Sequence, residues 1–488
     1  MDISRNFNIA FQDHQRGNFK NAEILYKKIL KLNPNHLRAN FFLGTLLIQM
    51  KDFYSAKKNF LKVILINPDH FYSYNHLGII YKELKIFNKA KEYFNTAISL
   101  NKNYADGYYN LGLLFQDLED YKNAKKYYQK TIQLNPKYGA AYNNLGNIFS
   151  IFRKTKEAII FFKKATEINP KNSFAYNNIG NRYKELGEYK KSIEAYNKAI
   201  KINPNIQQFY ENIGNVFRIK KDFKKAIEYF GKSNSKNSKA ELLECVYFQY
   251  GLKKFKEKLE IYTEKDFLNR RVATISAYVS ATQSIKNTYP FCKNPIEYFY
   301  KTNIENNHVF KNEFRNNLLN YLEKLDSVWE PSSKTTIKGF QTTGNLFKKN
   351  NIEIKKLVKF IEKTLTFYKQ KFSNSGDLII KKWPKKTFLN AWYVKLIQQG
   401  YQDSHIHPDG WVSGVFYLKV PKSTNRQDGS IKLTLDGYDY PDNKRLPNLV
   451  HSPKDFDLIL FPSSLFHRTI PFKLKKTRHV IAFDLVPF

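Results

Sequence analysis

Apolar and small residues recur along the first half of the chain with a single period. Leu43-Gly44, Leu77-Gly78, Leu111-Gly112, Leu145-Gly146, Ile179-Gly180 and Ile213-Gly214 stand 34 residues apart. The same step carries Ala22, Ala56, Ala90, Ala124, Ala158, Ser192 and Ala226. An aromatic follows each of these: Tyr26, Phe60, Phe94, Tyr128, Phe162, Tyr196 and Phe230. Asn33-Pro34, Asn67-Pro68, Asn101-Lys102, Asn135-Pro136, Asn169-Pro170 and Asn203-Pro204 keep the step too. This pattern predicts pairs of antiparallel helices. Glycine and the facing alanine let the two helices approach, the aromatic fills the gap to the next pair, and Asn-Pro ends the second helix. No pair can bury its apolar face alone, so about seven must stack over 3–240 into a superhelix with a concave face. A degenerate pair at 240–263 departs from the pattern, as a cap should.

Beyond 265 the step is lost while helical periodicity continues to about 325, as in 272–278 and 314–322. Tyr289-Pro290-Phe291-Cys292-Lys293-Asn294-Pro295 reads as a loop between these helices. From 335 the texture changes. One helix is expected over 351–372, and strands over 387–396, 411–420, 431–435, 457–461 and 478–485. Short strands between Gly, Pro, Asn and Asp loops predict a jelly roll, or double-stranded β-helix. The expected fold class is therefore α+β and multidomain. Its parts are an α-superhelix at 1–263, a helical bridge at 264–334 and the jelly roll at 335–488. Trp329-Glu330-Pro331-Ser332-Ser333-Lys334 marks the last boundary.

Charge changes this picture little. The 81 Lys+Arg against 43 Asp+Glu give a net +38, which invites a polyanion partner. The lysines, however, are scattered singly on polar helical positions, and Asn, Ile, Phe and Tyr are inflated with them. No specific nucleic-acid partner is expected, only stickiness to polyanions at low salt. Cys245 and Cys292 are too few for a disulfide framework and fit a reducing compartment. Cys292 has no His or acid nearby to activate it and reads as a buried thiol. The N-terminus lacks a charged-then-apolar signal pattern, and no apolar run reaches membrane-spanning length. The expectation is a cytoplasmic protein with no membrane partner.

Two groups of residues carry candidate chemistry. Asn110, Asn144, Asn178 and Asn212 precede the Leu-Gly landmark, and Asn147, Asn181 and Asn215 follow it. Side-chain amides so aligned can pair with the backbone of an extended polypeptide whatever its sequence. In the C-terminal part, His405 and His407 are two apart, so on a strand both imidazoles leave from one face. His467 follows a buried strand, and Arg478 lies eleven residues beyond, its fork suited to a carboxylate. Asn390, Trp392, Tyr393 and Tyr417 are candidates to line a co-substrate pocket. His451 and His479 lack partners at ligand spacing and read as structural.

The period and its small/large/Pro pattern resemble the tetratricopeptide repeat. The asparagine rows are similar to the ladder that holds polypeptide in O-linked N-acetylglucosamine transferase. That likeness implies a protein or peptide bound in the concave groove. Residues 339–488 resemble a bacterial branch of 2-oxoglutarate/Fe(II) oxygenases, a domain that often follows such repeats. The likeness rests on Gly339 to Phe347, His405-Ile406-His407-Pro408, Ser413 to Leu418, Leu460-Phe461-Pro462-Ser463, His467 and Arg478. It implies a dioxygenase that binds Fe(II) and 2-oxoglutarate, with Arg478 on the co-substrate carboxylate.

One departure stands out: most of that superfamily uses His-x-Asp plus a distant His. Either His405 takes the first position and His407 fills the carboxylate slot, or His407-Pro408-Asp409 restores His-x-Asp. Both registers remain open at this point. The leading expectation is a hydroxylase acting on a polypeptide presented by the repeat arm. The alternatives are a non-catalytic scaffold whose barrel binds a metal or ligand, and a three-His cupin-like metal enzyme.

Overall fold

The computed structural model describes residues 2–304, 310, 312–331, 335–421, 427–437, 440–441, 443 and 445–488. Met1 and part of the expected boundary, 332–334, lie outside the described residues. The chain forms two compact units, Met1–Ile148 with Glu157–Lys171, and Phe149–Lys156 with Asn172–Phe488.

The first half is built of helix pairs in the expected register. They are α1/α2 (Ile3–Gln15, Phe19–Leu32), α3/α4 (Leu37–Gln49, Phe53–Ile66), α5/α6 (Phe71–Glu83, Phe87–Leu100) and α7/α8 (Ala105–Asp117, Tyr121–Leu134). Then come α9/α10 (Gly139–Ile151, Thr155–Ile168), α11/α12 (Ser173–Glu185, Tyr189–Ile202) and α13/α14 (Gln207–Ile219, Phe223–Ser233). The small residue of each second helix is fully buried.

Phe60 stacks on His76 of the next pair at 4.9 Å, the expected bridging, and the aromatics also land on the glycine of their own pair. A Cβ at Gly44, Gly78, Gly112 or Gly146 would come within 2.7 Å or less of the Phe60, Phe94, Tyr128 or Phe162 ring. In the second unit, Gly180/Tyr196 and Gly214/Phe230 repeat the contact. Where Ser192 replaces the alanine, its hydroxyl donates to the Gly180 carbonyl at 2.8 Å, so the polar atom stays satisfied. Asparagine rather than proline supplies the common turn chemistry. Asn67 and Asn101 each accept from the N–H two residues on, at 3.1 and 3.0 Å, although proline is missing after Asn101.

In the second unit, α15 (Lys236–Lys265) is two helices broken at Gly251, whose φ of 76° no helix accommodates. It is followed by α16 (Arg270–Thr282), β1 (Tyr300–Asn303), α17 (Asn312–Leu322), β2 (Ser327–Trp329), β3 (Thr336–Thr342), α18 (Ile352–Lys371) and α19 (Leu378–Lys381). The remaining strands are β4 (Thr387–Gln402), β5 (Val412–Lys419), β6 (Ile431–Thr434), β7 (Asn448–His451), β8 (Asp457–Pro462), β9 (Phe466–Thr469) and β10 (Arg478–Pro487). They form a seven-stranded sheet, β1-β8-β5-β10-β4-β3-β2, and a three-stranded sheet, β7-β6-β9. All strand pairings are antiparallel, as a jelly roll requires. The stretch expected to be a helical bridge thus also supplies the two outermost strands of the larger sheet.

Alternation along the strands sorts two cores. Val394, Val415, Tyr417, Ile459 and Val480 face inward, against Ile431 and Leu433 of the smaller sheet. Ala391, Tyr393, Phe416, Leu458, Ile481 and Phe483 face outward, in one cluster with Ile354, Leu357 and Ile361 of α18. The helix therefore covers one face of the larger sheet, and the pocket described next opens from the other. Cys292 is buried in the outer cluster, and burial holds its thiol well above the ordinary range, in keeping with a structural role.

Candidate metal centre

His405 lies in an extended segment that bridges β9, with reciprocal backbone bonds to His467 of 3.1 and 3.0 Å. The His407 N–H reaches the Ser463 carbonyl at 3.0 Å. These pairings bring the three imidazoles into one cluster, with candidate ligand atoms within 4.8 Å of one another. The ring centroids are 4.2 to 5.0 Å apart.

Each ring has its Nδ1 engaged on the protein side. His405 Nδ1 meets the Asp403 carbonyl at 2.6 Å, His407 Nδ1 meets Asp484 Oδ2 at 2.7 Å, and His467 Nδ1 meets the Leu465 carbonyl at 3.2 Å. These oxygens are acceptors, so each Nδ1 carries a proton and Nε2 is the ring nitrogen not engaged by them. His407 Nε2 is buried with no hydrogen-bond partner among the described residues. Burial, then the two neighbouring imidazoles, hold His467 well below the usual histidine range, so it is neutral. Neutral imidazoles with oriented Nε2 atoms are what a divalent metal takes.

Asp484 is itself held. Its Oδ1 accepts from the Ser413 hydroxyl at 2.6 Å, and Ser413 meets Ser463 at 2.9 Å. Trp392 stacks on His407 at 5.3 Å, and Phe461 lies 4.7 Å from His467. The three imidazoles, Trp392, Ser413 and Phe461 line a pocket of about 390 Å³ including its mouth. Arg478 reaches the same pocket and is 1% exposed, with Nε and Nη1 unpartnered among the described residues. Its guanidinium sits 5.0 Å over the Tyr417 ring, and burial lowers its pKa. Burial also pushes the Tyr417 hydroxyl up to about 12, with Arg478 pulling it down. A buried cation with two orphaned N–H groups is costly unless an anion completes it.

Other candidates fall elsewhere. Asp409 is outside the cluster: its backbone carbonyl accepts from Arg270 Nη2 at 3.2 Å. Tyr393 is on the outward face of β4, and its hydroxyl meets His479 Nδ1 at 2.6 Å. It cannot line the pocket, because residue 392 faces inward and neighbours on a strand alternate. Asn390 pairs across the ladder with Asp484 and is not among the lining residues. His451 is paired with Asp457 at 3.1 Å, and His479 with Tyr393, both as structural groups.

Residues 390–484 match the family model described as "Putative 2OG-Fe(II) oxygenase". Tetratricopeptide-repeat models match 37–70, 71–104, 105–138, 139–172, 161–194, 180–218 and 207–239. The chain carries tetratricopeptide repeats in its N-terminal half and, at 390–484, a domain similar to that oxygenase family. Solved structures similar to parts of it include MamA, 29% identical over 34% of this chain and 96% of that one, with a TM-score of 0.31. YrrB, a repeat protein with an unusual peptide-binding site, is 24% identical over 37% and 93%, with a TM-score of 0.30. A tetratricopeptide repeat protein from Parabacteroides merdae is 17% identical over 53% and 98%, with a TM-score of 0.39. No curated protein matches the chain. Among the described residues no helix is long and apolar enough to cross a membrane.

Sequence reasoning missed the supports of the three-imidazole site. Asp484 lies six residues beyond Arg478 on β10, an even spacing that puts both on the inward face; that signal was available. Arg270 gave no such signal. From α16 its Nε reaches the Pro408 carbonyl at 2.9 Å, while Thr274 on the same helix donates to the Ser464 carbonyl at 2.6 Å. One helix outside the matched residues thus pins both segments that carry the imidazoles.

The repeat asparagines are partly committed already. Asn110 donates to Asn75 at 2.9 Å, Asn144 to the Tyr109 hydroxyl at 3.2 Å and Asn212 to Asn177 at 2.8 Å, each one repeat back. Asn181 accepts from the Tyr196 hydroxyl at 2.7 Å. Asn147, Asn178 and Asn215 are half-buried on the same helices.

Proposed function

We propose that the C-terminal domain is an Fe(II)- and 2-oxoglutarate-dependent oxygenase that hydroxylates a polypeptide held by the repeats. His405, His407 and His467 would hold the metal through Nε2, and Arg478 would pair with the distal carboxylate of the co-substrate. The observation that carries this is the pairing of unmet needs in one pocket: an orphaned imidazole nitrogen at one side and an orphaned guanidinium at the other. Bound Fe(II) and 2-oxoglutarate supply dioxygen activation coupled to oxidative decarboxylation, the chemistry that hydroxylates C–H bonds.

The chain's own residues do the positioning. The Nδ1 bonds fix each imidazole tautomer. Asp484 places its carboxylate on the far side of His407 and fixes that ring's orientation. In this reading the missing acid ligand is offset one bond further out, which favours the register with His405 first over the one using Asp409. Trp392, Phe461 and Ile431 keep water from the walls, and Tyr417 braces the guanidinium. The remaining capacity of Asn110, Asn144, Asn147, Asn178, Asn181, Asn212 and Asn215 would pair with substrate backbone. Strands β1 and β2 lead us to assign 264–334 to the same folded part as the jelly roll.

Anaerobic addition of Fe(II) and 2-oxoglutarate should produce a weak visible charge-transfer band, and aerobic turnover should release succinate. Succinate release that persists in His467→Ala, or that ignores Arg478→Ala, defeats the assigned roles. Metal binding with no response to 2-oxoglutarate selects the three-His cupin-like alternative. No metal binding leaves a scaffold.

A further inference from the structure

The segments that carry the imidazoles have a second face. Ile406, between His405 and His407, and Phe466, before His467, point away from the metal pocket into another cavity of about 510 Å³ including its mouth. Helices α13, α15 and α16 close it with Arg218, Glu241, Glu244 and Arg271. Two of these four charges form a close pair. Glu244 takes Arg218 Nη1 at 3.0 Å on one oxygen and the Tyr440 hydroxyl at 3.1 Å on the other.

The other two form a looser ion pair, Arg271 Nη1 standing 3.7 Å from Glu241 Oε1, beyond hydrogen-bond distance. Glu241 Oε2 and Arg271 Nε are buried with no partner among the described residues. Leaving a carboxylate oxygen and a guanidinium N–H so exposed to the interior is expensive unless something fills the gap. The complement is a molecule offering a cation to Glu241 and an anion to Arg271 from adjacent atoms. An α-amino acid carries its ammonium and carboxylate two bonds apart, on the scale at which these side chains face each other. Ala240 and Ile275, with Ile406 and Phe466, give the cavity apolar walls for a small aliphatic side chain.

We infer that this cavity is a binding site for a free aliphatic α-amino acid, its ammonium on Glu241 and its carboxylate on Arg271. The site is separate from the metal pocket and does not depend on the oxygenase reading. Burial pushes Glu241 up to about 7, against the pull of Arg271 and Arg218 and with the push of Glu211 and Glu244. Lys184 lies in the same field. An ammonium favours the ionised carboxylate, so affinity falls as pH drops below 7.

The test is calorimetric titration of the full chain with L-alanine, L-valine and L-leucine. Saturable heat is expected. N-acetyl-leucine, leucinamide and leucyl-leucine should bind about tenfold or more weakly, since each loses or displaces one charge-assisted contact. Glu241→Gln should weaken L-leucine by a similar factor. Absence of saturable heat from all three amino acids would mean that water fills the cavity and overturns the inference. Equal binding of the doubly blocked N-acetyl-leucinamide, or a Glu241→Gln protein with wild-type affinity, overturns it as well. If Glu241→Gln does not fold, the blocked ligands on the natural chain decide the matter alone.

Discussion

Replacing Asp484 by asparagine should separate the charge of that side chain from its shape. Asp484 accepts from His407 Nδ1 at 2.7 Å and from Ser413 at 2.6 Å, and its side chain is only 9% exposed. Asparagine fits the same space and can still accept one of the two bonds, so the fold should survive. What disappears is a full negative charge aimed at a metal-facing imidazole. A hydrogen bond to a charged group contributes about 1.5–3 kcal/mol, which is about ten- to a hundredfold in an equilibrium constant. Supports of this kind behind ligating histidines are worth about the same range in metal affinity. Titration with Co(II), followed by its visible spectrum, should therefore show a dissociation constant raised about ten- to a hundredfold. His451 and Asp457 make the same contact at 3.1 Å outside the metal cluster, with similar exposure. Asp457→Asn should lower stability yet leave Co(II) affinity alone. Equal metal affinity in Asp484→Asn and the natural chain would refute the idea that this carboxylate stands in for the missing acid ligand.

Arg270→Ala removes bonds of 2.9 and 3.2 Å to the Pro408 and Asp409 carbonyls and should cost about tenfold in Co(II) affinity, with Arg270→Lys intermediate. Gly146→Ala drives a methyl to within 2.6 Å of the Phe162 ring and should destabilise by about 1–3 kcal/mol. Gly231→Ala meets nothing within 4 Å in its helix and should stabilise by up to about 1 kcal/mol; thermal melts followed by circular dichroism compare the two. Burial lowers His479 to about 4, with Lys395 adding to the shift. The unfolded chain protonates this ring first, so its contribution is complete above about pH 6.5 and is lost as pH falls toward 4. It is about 3 kcal/mol at most. Urea midpoints at pH 7 and 5 should differ less in His479→Gln than in the natural chain.

The repeat half was legible because each element needs only its neighbours in sequence. Gly44 meets Phe60 sixteen residues away, and every later repeat copies that contact, so the period alone fixes which residues touch. What the pattern could not reveal is the direction of a side chain within that frame. Phe60 reaches its own glycine as well as the next pair, and Asn110, Asn144 and Asn212 turned to the preceding repeat. An amide looks equally available for either partner in sequence, and the distance of one repeat decides it only in three dimensions.

The site divides along the same line. His405 and His407 could be grouped because parity on a strand assigns a face without knowledge of the neighbouring strand, and His467 and Arg478 because each stands next to a buried strand. Parity also excludes Tyr393 once Trp392 is known to face inward, a constraint that the residues alone did not impose. Arg270 and Thr274 stand on a different footing. They reach the imidazole-bearing turns across sequence separations of 138 and 190 residues. Their contacts are to backbone carbonyls, which every residue type offers, so no spacing or residue choice marks them. The three-imidazole cluster is therefore specified twice, by local strand pattern for the rings themselves and by tertiary packing of α16 for the turns that hold them still. Only the first kind of instruction can be read from residue order, which is why the clustered imidazoles were legible and the contacts behind them were not.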